Sequence, residues 1–321
     1  MMKQILLIPA VTLCVLTAGA APLKRADVTA DPGLVVHLDF DGLRATSVGK
    51  AILSQMNEPD IDTKLSAIQA IFSFDPRTQL HGATIYATAQ TPPEGVLIIY
   101  AEFDSNRVLN LGKLAPGFET ITNGSHLIHT WINGKEKAKD GESSHIYAAI
   151  KDNRIILGKA EAPVAAALDV LDGNAPSLAG EKSLPELGDG GHGNVIQAVV
   201  RKFDFGGQEP NAAIFKMSKI VRLQAGETAD HLAATLSFEA KDADTATQIS
   251  AIAQGLVALL KLQQGNPDVL KIANAVSLRQ DGATVTATAS IASQDVVDLI
   301  NTKIAEAEQK HSGDTNSARA Q

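Results

Sequence analysis

One local pattern constrains the fold more than any other feature of the chain: a strand, a tight turn, a second strand and then a helix, met four times. The first unit reads as strands Ala83–Ala89 and Val96–Phe103 around the turn Thr91-Pro92-Pro93-Glu94-Gly95, with a helix opening at Asp104. The second has strands Ser144–Ile150 and Arg154–Lys159 around Lys151-Asp152-Asn153, then a helix through Val164–Leu171. The third has Ile214–Gln224 and His231–Ala240 around Ala225-Gly226-Glu227, with a helix opening at Asp242. The fourth has Val276–Arg279 and Ala283–Ile291 around Asp281-Gly282, with a helix opening at Ser293. Gly, Asn or Asp stands wherever a turn needs a positive φ. Asp104, Asp242 and Ser293 can each cap the free N–H groups of the helix they open.

A strand at Leu34–Phe40 and a helix at Ser47–Met56 precede the first unit, a hairpin at Phe118–Ile132 separates the first two, and Val195–Phe203 opens the second half. Hairpins followed by helices build antiparallel sheets. The expected fold is therefore α+β: two similar domains, each a mainly antiparallel sheet with helices packed on one face. The first domain is expected over 34–175 and the second over 194–309. Linkers at 21–33 and 176–193, the latter marked by the run Gly188–Gly193, separate them, and the tail 310–321 lacks apolar periodicity and is expected to be disordered.

Side-chain alternation assigns faces within this frame. Ala283, Val285, Ala287, Ala289 and Ile291 alternate with Thr284, Thr286, Thr288 and Ser290, giving one apolar face and one hydroxylated face. Leu232, Ala234, Leu236 and Phe238 alternate in the same way. Val96–Phe103 is apolar on both faces and reads as a central strand. The helix Ala243–Leu262 gathers Ile249, Ile252, Leu256, Leu259 and Leu260 on one side, and a short helix Pro267–Ala275 follows.

The amino terminus has a different character. Lys3 precedes an apolar run from Ile5 to Leu16, which closes on Thr17-Ala18-Gly19-Ala20-Ala21. This is the layout of a secretory signal peptide over residues 1–20, with Ala18-Gly19-Ala20 as the cleavage motif. The run is shorter than the roughly 20 residues a bilayer span needs, and Pro9 interrupts it. The chain is expected to be exported, to the periplasm or the extracellular space, with no transmembrane segment after cleavage. Cys14 follows the large Leu13 and reads as part of the run rather than as a lipidation site; it is the chain's single cysteine. The mature chain then has no disulfide and no thiol chemistry. Loss of Lys3 leaves 27 cations against 36 anions, a net charge of −9. That balance argues against nucleic acid as a partner. With aromatic residues at 4%, stacking platforms for sugars or single strands are also disfavoured.

Among the constellations that could carry chemistry, His37-Leu38-Asp39-Phe40-Asp41 stands out. On a strand His37, Asp39 and Asp41 share a side, and an imidazole with two carboxylates could hold a divalent metal. The competing reading makes Asp39 or Asp41 a cap or turn residue before the helix. His126 and His129 fall on opposite faces of a strand. Asp230-His231 and the Asp189/His192 pair are isolated. Glu102 and Asp104 sit where a strand meets a helix, and Asn123-Gly124 reads as a hairpin turn rather than a glycosylation site. No nucleophile elbow, zinc helix or phosphate loop occurs.

The run from Val35 through Asp41-Gly42 to Ile52, together with Ile155–Ala160 and Val164–Leu171, resembles uncharacterised exported bacterial proteins with tandem α+β (ββα) units. The resemblance implies architecture and carries no functional residue. The expected function is that of an exported non-catalytic protein, binding a protein or a cell-envelope component and needing no cofactor. An exported metal-assisted hydrolase using His37, Asp39 and Asp41 is the alternative.

Overall fold

The computed structural model describes residues 21–88, 94–137, 143–182, 184, 187, 193–201, 210–263, 265 and 267–318. The expected signal peptide and the glycine run at 188–192 lie outside the described residues. The first half contains β1 (Leu34–Asp39), α1 (Phe40–Ala45), α2 (Ser47–Met56), α3 (Pro59–Phe72), α4 (Pro76–Gln79), β2 (Leu80–Ala87), β3 (Gly95–Ala101), α5 (Ser105–Gly112), β4 (Glu119–Asn123), β5 (His126–Lys137), β6 (Ser143–Lys151), β7 (Arg154–Gly158) and α6 (Glu161–Leu171). The second contains β8 (Asn194–Arg201), α7 (Pro210–Met217), β9 (Ser218–Thr228), β10 (His231–Ala240), α8 (Ala243–Lys261), α9 (Pro267–Ala275), β11 (Val276–Asp281), β12 (Thr284–Ala292) and α10 (Ser293–Ala318). Short 3-10 turns occur at Arg25–Asp27 and Leu178–Gly180.

The fold is α+β, and its strands are antiparallel throughout the order β11-β12-β10-β9-β8-β1-β2-β3-β7-β6-β5-β4. The two half-sheets join edge to edge into one sheet. The joint is β1, which pairs with β2 on one side and β8 on the other; Val35 sits opposite both Tyr86 and Val199. Joining the halves removes two exposed sheet edges that would otherwise be free to pair with other chains.

The halves bury opposite faces of this sheet. Val199 belongs to the first core, with Val35, Ile98, Ile128 and Ile156 beneath Val164 and Leu168 of α6. The next residue, Val200, packs against the second core, with Val221, Phe238 and Val285 beneath Ala246, Ile249 and Ala253 of α8. Consecutive strand residues point to opposite sides, so α6 and α8 lie across the sheet from each other. The apolar alternation of β10 and β12 faces α8, and the Thr/Ser face opposite it is open.

Both segments expected to be linkers contribute to the first core. Leu23, Val28, Leu178, Leu184 and Leu187 are all buried there. Arg25 ties the segments together. One guanidinium nitrogen donates to the carbonyls of Leu184 and Leu187, and the other donates to those of Leu178 (2.9 Å) and Glu181 (2.6 Å). Buried Asp27 accepts from Arg154 Nε at 2.8 Å.

Other departures concern single elements. Ile214–Met217 is helical in α7 rather than part of a strand, and Ile214 and Phe215 pack into the second core. The β9–β10 turn falls at Ala229-Asp230, which adopt positive φ, and not at Gly226. Gly226 instead lies inside β9, where a Cβ would sit 1.8 Å from the Gly193 carbonyl oxygen. The glycine marks a close backbone approach, not a turn. α10 continues to Ala318, into the stretch expected to be disordered. Asp104 and Asp242 cap α5 and α8 as expected, accepting from Arg107 N (3.0 Å) and Thr245 N (2.7 Å).

Candidate functional site

Two features of the first half stand out: a cleft beside Ala21 that carries charged side chains, and an apolar sheet face. The polar cleft is built from the end of β1. His37 and Asp39 point to one side of this strand and are buried, at 2% and 3% exposure. Thr84 of β2 lies opposite His37 and approaches its Nδ1 at 2.9 Å, while Nε2 lies 2.9 Å from the Ala21 carbonyl oxygen. A carbonyl can only accept, so Nε2 carries the hydrogen and Nδ1 accepts from the Thr84 hydroxyl. Asp39 Oδ1 accepts from Gly42 N (2.7 Å), capping α1, and from Ala21 N (2.9 Å). His37 and Asp39 thus hold both backbone groups of one residue, Ala21.

Asp41 does not join them. The strand ends at Asp39 and α1 starts at Phe40, so the two-residue alternation stops before Asp41. Its carboxylate pairs with Arg44 and with His81 Nδ1 (3.0 Å), and His81 Nε2 faces Glu102 at 3.3 Å. Both His37 nitrogens and the shared Asp39 oxygen are engaged by protein groups. Among the described residues no group of three or more His, Cys, Asp or Glu is placed to hold a metal ion. The cleft beside these groups has a volume of about 370 Å³ and is lined by Ala21, Lys24, Asp41, His81, Tyr100 and Glu102, among others. The sequence reading missed His81. Its signal is the pairing of β2 with β1, which brings residue 81 beside the end of β1 and cannot be read from local spacing.

Of the remaining histidines singled out, His126 is buried and pairs with Asp169 at 2.9 Å, whereas His129 lies on the other strand face and stacks on Phe118. Gly124 makes the expected turn with positive φ.

Burial holds the His37 imidazole below its ordinary value of 6.5, opposed by the Ala21 carbonyl and by Asp39. The unfolded chain therefore takes up a proton at His37 as the pH falls through 6.5, while the folded chain resists it. Stability falls with acidification from about that pH until the folded value is reached. His129, lowered by burial and then by Lys113, adds to the same slope. Urea midpoints measured between pH 7.5 and 5 are expected to decline, with a smaller decline in His37→Gln. An equal slope in the variant would contradict this assignment.

The apolar surface lies on the sheet face opposite α6. There Ile85 of β2, Leu97 and Ile99 of β3 and Ile155 and Leu157 of β7 lie side by side. α3 and α5 cover one end of the face and leave a groove of about 380 Å³ lined by Ile68, Phe72, Leu80, Ile99, Phe103 and Val108, with further apolar residues and no polar lining. A second, more open hollow of about 420 Å³ continues across Ile85, Leu97, Ile146 and Leu157, with His145 and Lys159 in its lining. Ile85 is 44% exposed and Phe72 37%.

No family model matches the chain, and no curated protein matches it. Among solved structures the chain is similar to TP0453. Crystal form III of that protein is 12% identical at a TM-score of 0.47, with 89% of this chain and 100% of that chain covered. Crystal form I is 12% identical at 0.44, with 88% and 98% covered.

Proposed function

We propose that this is an exported, non-catalytic binding protein, and that the open apolar face of its first half takes an apolar portion of a cell-envelope component. The observation that supports this reading is the groove between α3, α5 and the β2–β3–β7 face, whose lining is wholly apolar. Burying such a lining against an apolar partner yields about 25 cal/mol per Å², and the groove is already formed, so little ordering opposes binding. The His81 cleft brings an imidazole beside two carboxylates: His81 Nδ1 lies 3.0 Å from Asp41, and Nε2 lies 3.3 Å from the exposed Glu102. No helix among the described residues is long and apolar enough to cross a membrane.

The test uses 1-anilinonaphthalene-8-sulfonate, a dye that fluoresces in apolar sites. The folded protein is expected to enhance its emission, and envelope extract is expected to displace it. Phe72→Glu, at a half-exposed position, is expected to cut the enhancement at least severalfold while leaving the unfolding free energy within about 0.5 kcal/mol of the wild type. No enhancement by the folded protein, or equal enhancement by the variant, would refute the reading.

A further inference from the structure

The arrangement around Ala21 carries a second proposal, which rests on the export reading above. Asp39 is 3% exposed, and none of the ion pairs among the described residues includes it. A buried carboxylate without a cation is costly, and folded proteins rarely leave one so. Cations of this region have other partners: Arg44 pairs with Asp41 and the Leu80 carbonyl, Arg154 pairs with Asp27, and Lys24 lies over the Tyr100 ring. Asp39 Oδ1 touches two backbone nitrogens, that of Gly42 at 2.7 Å, which it caps, and that of Ala21 at 2.9 Å. Ala21 is also the residue that the Ala18-Gly19-Ala20 motif predicts as the first of the mature chain.

We infer that His37 and Asp39 form a receptor for the processed amino terminus. Hydrolysis of the Ala20–Ala21 amide by a signal peptidase adds the oxygen of water to the Ala20 carboxyl group. The Ala21 nitrogen keeps the electron pair of the broken bond and gains hydrogen. At neutral pH it carries a further proton and a positive charge. The nitrogen then sits against Asp39 as an ammonium, and a neutral hydrogen bond becomes a charge-assisted one. The receptor is prebuilt on every side. His37 Nε2 holds the Ala21 carbonyl, buried Leu23 and Val28 anchor the segment behind it, and Gly42 leaves the carboxylate room. A Cβ at Gly42 would lie 2.7 Å from Asp39 Oδ2. Removal of the leader therefore supplies the fold with its missing cation, and the processed chain is more stable than the unprocessed one.

The test expresses the full chain with its leader in an exporting bacterium and determines the mass of the exported protein. A chain beginning at Ala21 is expected. An exported chain with another first residue would overturn the receptor and leave export standing. Retention of residues 1–20 in the cytosol would overturn both. The exported chain is then compared with one carrying a single extra glycine before Ala21, each as wild type and as Asp39→Asn. The added glycine is expected to lower Tm by about 3–6 °C in the wild type and to have little effect in the variant. Should Asp39→Asn not fold, the rate of amine acylation decides: the Ala21 amine is expected to react at least tenfold more slowly near pH 8 than that of the glycine-extended chain. Equal Tm with and without glycine, or equal acylation rates, would overturn the proposal.

Discussion

Replacing Arg25 with alanine is expected to destabilise the first half by about 3 kcal/mol or more, read as a lowered urea midpoint at unchanged slope. Four carbonyls, those of Leu178, Glu181, Leu184 and Leu187, converge on this one guanidinium. A planar group with five donors can serve them together, and a lysine cannot reproduce that fork, so Arg25→Lys should recover only part of the loss. The residues these carbonyls belong to are themselves core: Leu178 and Leu184 are fully buried. Losing the donor leaves part-buried carbonyls unsatisfied and loosens both segments that cover α6's side of the sheet. A change below about 1 kcal/mol would show that the strap is not held by Arg25.

The second large effect separates two neighbours on β3. Ile98 is fully buried in the first core beside Ile156, and Ile98→Ala is expected to cost about 2–5 kcal/mol through lost burial and a residual cavity. Ile99 points to the other side and lines the open groove. Ile99→Ala is expected to cost clearly less stability while weakening dye binding, a loss that Ile98→Ala should not show once conditions keep it folded. Denaturant titration and dye fluorescence on the same two variants check both halves of the statement. Reversed effects would mean that the two sheet faces have been assigned the wrong way round.

Local chemistry made much of this architecture legible. The Asp104 and Asp242 caps, the turns at Asn123-Gly124 and Asp281-Gly282, and the alternation along β10 and β12 are written in neighbouring residues, so a reading of the chain finds them. Gly226 shows where such reading fails. A glycine beside a charged residue looks like a turn, but its reason is the Gly193 backbone arriving from β8, a long-range fact. The junction of the two half-sheets is long-range in the same sense. Nothing near β1 announces that it pairs with β8, and nothing near 21–33 or 176–187 announces that Leu23 and Leu184 fill one core. α3 has no counterpart in the sequence reading, and without it β3's second apolar face reads as covered, not as a groove.

The candidate polar site was half visible. The His37 and Asp39 pairing follows from strand alternation, and the capping role of Asp39 follows from Gly42. The departure of Asp41 depends on where α1 begins, one residue after the strand ends, and a single-residue boundary decides whether three ligands converge or two. The partner of His37 and Asp39 is Ala21, which lies in a stretch whose composition suggested only a linker.

The central claim is that the open apolar face of the first half is where this protein meets its partner. The most direct measurement places a photo-crosslinking amino acid at Ile85, on that face, and separately at Thr288, exposed on the hydroxylated face of β12, in cells carrying the full chain. The account predicts a discrete adduct with an envelope component from position 85 and none from position 288. Adducts from 288 alone, or none from either, would contradict it.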